Sequence, residues 1–80
     1  MVKNEEIQTE FNTFMQVWKF YKKWYGVTNY DGGDWNKVIH DAHKIALEFE
    51  NSVLVQNLLH TCITDLERVS RELYRKENNL

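Results

Sequence analysis

The side chains of this chain that could do chemistry are histidines 40, 43 and 60, the single cysteine at 62, and a scatter of carboxylates. His40 and His43 stand three apart in a helical stretch, a spacing that lets two side chains share an ion. A metal centre needs three or four ligands in defined geometry. Asp41 points away from the pair and no Glu stands at the right step beside both, so no metal site is expected. His60, Cys62 and Asp65 are close in sequence, but on a helix their directions differ by more than a quarter turn and they do not converge. Asp31, Asp34 and the glycines between them resemble a cation loop in outline, yet the later oxygen ligands are missing. Turn and cap is the better reading. No catalytic set and no cofactor site emerges, and a chain of 80 residues has little room for a ligand pocket of ordinary volume.

Composition narrows the class. Lys and Arg number 10 and Asp and Glu 12, so a net charge of −2 argues against a strongly basic nucleic-acid binder and against a highly acidic mimic of DNA. With 42% hydrophobic and 28% charged residues, the chain is expected to fold. No apolar run approaches the roughly 18 residues of a membrane span, and no apolar stretch of a secretory signal follows Met1. One cysteine excludes an intrachain disulfide and suits a reducing compartment. A cytoplasmic protein is expected. A single core is marginal at about 60–80 residues. Aromatics at 14% favour dense packing, with apolar surface to spare for a partner.

The elements that must position these residues are helices. Proline is absent and the glycines, at 26, 32 and 33, bracket one loop. In the first helix, expected over 5–25, Ile7, Phe11, Phe14, Trp18, Tyr21 and Tyr25 step by four, three, four, three and four and share a face. Asn4 is expected as N-cap, Glu5 and Glu6 favour the first turn, Lys22 and Lys23 the last, and Gly26 ends it in the left-handed region. After a loop over 27–33, Asp34 is expected to cap a helix over 35–50 whose inner face is Trp35, Val38, Ile39, Ala42, Ile45, Ala46 and Phe49. Asn51 or Ser52 caps the third, over 53–76, with Val55, Leu58, Leu59, Cys62, Ile63, Leu66, Val69 and Leu73 inward. Pairs Glu67–Arg71 and Arg68–Glu72 support it. The expected architecture is all-α: one domain over 1–80, a three-helix antiparallel bundle, or helical hairpins completing a core in a homodimer.

Two surfaces stand out as binding candidates. With the first helix packed through its main stripe, Phe20 is left toward the polar side and Trp24 on a shoulder. Flanked by Lys19 and Lys23, and extended by Tyr30, they form an aromatic-plus-basic anchor for a protein partner. A homodimer seam would use the same residues. The third helix aligns Gln56, Asn57, His60, Thr64, Arg68, Arg71 and Arg75, side-chain types that read bases and hold phosphates. A small nucleic-acid-binding regulator is therefore the alternative. Glu67 within that face, and four acids against four bases over 53–80, favour a solvated face instead.

The run Phe14-Met15-Gln16-Val17-Trp18-Lys19-Phe20-Tyr21-Lys22-Lys23-Trp24-Tyr25, the Asp/Gly loop, Asp34-Trp35 and the later Leu66-Glu67-Arg68 together resemble small helical proteins of phages and mobile elements of Firmicutes. The resemblance implies a non-catalytic protein that binds and blocks a host or defence complex, in the manner of an anti-CRISPR inhibitor. It assigns no residue a role.

Overall fold

A computed structural model describes residues 4–27 and 33–77. A 3-10 turn over Asn4–Ile7 leads into α1, Gln8–Trp24; α2 is Gly33–Glu48 and α3 is Val53–Glu77. The described residues are an all-α three-helix bundle in which each helix packs on the other two, α1 and α3 most extensively.

Local cues explain most of the boundaries. Tyr25 turns extended after α1 and Gly26 takes φ +88, the left-handed conformation that costs glycine nothing. The Val27 N–H then reaches the Trp24 carbonyl at 3.2 Å. Asn4 is not the cap of α1. That position falls to Ile7, which makes no side-chain cap bond, because a 3-10 turn precedes the α-helix. Asp34 likewise lies inside the first turn of α2, where it pairs with Lys37 at 3.9 Å. α2 stops two residues earlier than expected. Glu50 and Asn51 both adopt positive φ, at 57 and 55, and the Asn51 N–H returns to the Ala46 carbonyl at 2.8 Å. Ser52 caps α3 as expected, its Oγ accepting the Val55 N–H at 3.2 Å.

The core joins Val17 and Phe20 of α1 to Val38 and Ala42 of α2 and to Val55, Leu59 and Leu66 of α3. The inner faces of α2 and α3 are those expected from their spacing. The inner face of α1 is not. Its core positions are Thr13, Val17 and Phe20, with Trp24 packed against them. The expected stripe, Phe14, Trp18, Tyr21 and Tyr25, is displaced from them by one residue throughout, a rotation of about 100°. Phe20, expected outside, is only 2% exposed. Both arcs of α1 are apolar enough to be a core, so periodicity could not choose between them. The inner arc is compatible because Thr13, its one small polar member, satisfies its hydroxyl on the Thr9 carbonyl at 2.8 Å.

Two stability outcomes follow from this register. Phe20→Ala is expected to cost about 3–5 kcal/mol, enough to unfold so small a domain, whereas Phe14→Ala stays within about 0.5 kcal/mol; urea unfolding of the two variants ranks them, and the opposite order would mean that α1 faces the other way. Ser70 is fully buried in α3 and its Oγ has no hydrogen-bond partner. Ser70→Ala should therefore raise the urea midpoint, by roughly 1 kcal/mol in stability.

Candidate functional site

Turning Phe20 inward leaves Phe11, Phe14 and Trp18 of α1 on the outside. Ile7, Phe11, Phe14, Met15, Trp18 and Tyr25 are each between 40% and 58% exposed. They run along the side of α1 away from the core, and Tyr21 joins them half-buried. The four exposed aromatics alone present about 450 Å² if each ring side chain is taken as roughly 200 Å². With Ile7 and Met15 the band reaches roughly 600 Å², the upper end for the largest apolar patch on an ordinary monomer.

This band is ordered by ring contacts. Trp18 stacks on Tyr21 with centroids 6.1 Å apart and planes at 23°, and Tyr21 meets Tyr25 edge-on at 5.6 Å. The Lys22 ammonium lies 5.7 Å from the centre of the Trp18 ring. Tyr21 is tied to α3: its hydroxyl donates to Asp65 Oδ2 at 2.5 Å. The same carboxylate receives Arg68 Nε at 2.9 Å through its other oxygen. Arg68 and Tyr21 together hold the Asp65 carboxyl below the ordinary carboxylate range. In return, the bond to Asp65, helped by burial, pushes the Tyr21 hydroxyl up to about 12. Rings held in one arrangement lose little freedom when a partner covers them.

Of the expected anchor set, Lys19, Phe20 and Lys23 line one groove between α1 and α2, but not as an exposed aromatic anchor. Phe20 is core. Trp24 is half-buried and its indole Nε1–H donates to Asp41 Oδ2 at 2.9 Å. Lys23 pairs with that oxygen at 3.3 Å and lies 5.0 Å from the centre of the Trp24 ring. Burial works to raise the Asp41 carboxyl, but the bonds from Trp24 and Lys23 and the nearby Lys44 prevail and hold it low. Trp24 and Lys23 are thus occupied in locking α1 to α2. Lys19 lines an open groove of about 390 Å³ between those helices, with Lys23, Asp41 and Lys44, rather than the rim of the aromatic band. Tyr30 lies outside the described residues.

On α3, Gln56, Asn57, His60, Thr64, Arg68, Arg71 and Arg75 are all exposed. Arg68 is engaged by Asp65 and by Glu72, the latter at 3.0 Å, and Arg71 by Glu67 at 3.5 Å. The Gln56 amide donates to the Asn51 carbonyl. Two of the arginines expected to hold phosphates therefore arrive with carboxylates already beside them. Among the described residues, no three His, Cys, Asp or Glu side chains are placed to hold a metal ion. Burial, reinforced by Asp65, pushes the Cys62 thiol up, so little of it is the nucleophilic thiolate. No helix among the described residues is long and apolar enough to cross a membrane.

Sequence reasoning passed over Phe11, Phe14 and Trp18 as surface residues because it had assigned them to the core. The one available signal was Thr13, a residue small enough to be enclosed among three helices. No family model, curated protein or solved structure matches the chain.

The Tyr21–Asp65 tether is directly testable. The raised Tyr21 value means its stabilisation is intact below the ordinary pKa of 10.0 and disappears as pH climbs through about 12. An ultraviolet titration should show one tyrosine ionising last. In Asp65→Asn that tyrosine should fall back toward 10.0 while the helical signal persists. A titration unchanged by the substitution would mean the tether does not form.

Proposed function

We propose that this chain is a non-catalytic protein-binding module whose contact surface is the exposed aromatic face of α1. The supporting observation is the band Ile7–Phe11–Phe14–Met15–Trp18–Tyr25, left uncovered by a bundle that has already filled its core with other residues. Aromatic residues supply most of the energy in protein interfaces, and a preordered row of them binds at low entropic cost. Tyr21 supports the row from beneath through Asp65, and Lys22 supplies a cation at its edge. The resemblance to phage and mobile-element proteins extends the proposal. The task would be to occupy a surface of another protein, such as a host defence complex, in the cytoplasm of a bacterial cell. Enzymatic chemistry has no part in this reading.

The test uses a photo-cross-linking phenylalanine analogue in place of Phe14 and, as a control, in place of Asn57. Irradiation in bacterial cells expressing the full chain should yield a protein adduct from position 14 and none from position 57. Equal yields from the two positions would refute the proposed surface, because they are exposed on different helices.

A further inference from the structure

The exposed face of α1 repeats more strictly than a bundle requires. Ile7, Phe14 and Tyr21 are seven apart, and so are Phe11, Trp18 and Tyr25. Two interleaved sevens give an apolar seam with a period of 3.5, the spacing by which one helix packs along another in a left-handed coiled coil. Among the described residues, Tyr21 of that seam packs against the core and bonds to Asp65, while Ile7, Phe11, Phe14, Trp18 and Tyr25 stay exposed, because α2 and α3 pack mainly on the arc of Thr13, Val17, Phe20 and Trp24.

We infer that the seam pairs with a second copy of itself, antiparallel, about a two-fold axis at the level of Gln16. This inference rests on the binding face proposed above and names what covers that face when the chain is on its own. The spacing is self-complementary. An axis there sets Ile7 against the partner's Tyr25, Phe11 against the partner's Tyr21, and Phe14 against the partner's Trp18. Every seam residue then meets another seam residue, as an isologous interface demands. Met15 falls beside its own copy next to the axis.

Charge selects the direction. The start of α1 and the turn before it carry Glu5 and Glu10, and its end carries Lys22 beside the Trp18 ring. A parallel pair would set acid beside acid and base beside base. The antiparallel pair sets each acidic end near a basic one and opposes the two helix dipoles. Area permits it as well. Roughly 600 Å² from each chain sets an upper limit of about 1,200 Å² in total, which reaches the lower end of the range for stable, specific interfaces.

The experiment is sedimentation equilibrium on the full chain. The wild type should run at twice its 9.7 kDa mass in the micromolar range. Phe14→Glu and Trp18→Lys should each be monomeric alone, with circular dichroism unchanged because both positions are half-exposed. Mixed in equal amounts, they should associate about tenfold or more tighter than either alone, since the antiparallel register brings Glu at 14 to Lys at 18 across the seam. If either variant loses its helical signal, Ile7→Lys mixed with Tyr25→Glu tests the other end in the same way. A wild type that stays monomeric into the hundreds of micromolar overturns the inference, as does a dimer that survives both single charges. Failure of the mixtures to recover association overturns the antiparallel register. An adduct at position 14 with a different protein, from a monomeric chain, overturns self-pairing while leaving the binding face standing; a monomer with no adduct removes both.

Discussion

The rotation of α1 about its own axis is the constraint on which the rest of this structure depends. It is set at three neighbouring residues. Phe20 enters the space between the other two helices, Tyr21 hands its hydroxyl to Asp65 on α3, and Trp24 hands its indole N–H to Asp41 on α2. Burial of one large ring contributes about 1.5–3 kcal/mol. The two polar tips lie at the edges of the packed region, where each finds a carboxylate instead of going unsatisfied. A rotation by one residue would bury Trp18 and Tyr25 in place of Val17 and Trp24, and would detach both tethers.

Those tethers also decide which aromatics are available to anything outside. Trp24 and Lys23 both reach Asp41, linking α1 to α2. The adjacent arc retains Phe11, Phe14 and Trp18, along with a Tyr21 ring that stacks on Trp18 while its hydroxyl is anchored. One residue thereby links the interior to the exposed face. A change at Asp65 would be felt on the surface of another helix.

On the α3 surface the neighbours of the polar side chains matter as much as the side chains themselves. Amide, hydroxyl and guanidinium groups are aligned there as the sequence suggests. Their neighbours decide what they can do: Asp65 and Glu72 grip Arg68, and Glu67 grips Arg71. A phosphate backbone would compete with these carboxylates for Arg68 and Arg71.

The three helices, their approximate ends, the left-handed Gly26, the Ser52 cap and the inner faces of α2 and α3 were legible in the amino-acid order, because each of those features arises from spacing and local capping chemistry. The two faces of α1 were not. Ile7, Phe11, Phe14, Trp18, Tyr21 and Tyr25 have the periodicity of a buried stripe, and so, one residue away, do Thr13, Val17, Phe20 and Trp24. Hydrophobic periodicity reports that a face is apolar and says nothing of what lies opposite. Only the packed bundle chose, through the fit of Phe20 and the placement of Asp41 and Asp65 on the other helices. That choice left most of the expected core stripe of α1 exposed, and placed Phe20 of the expected anchor in the core.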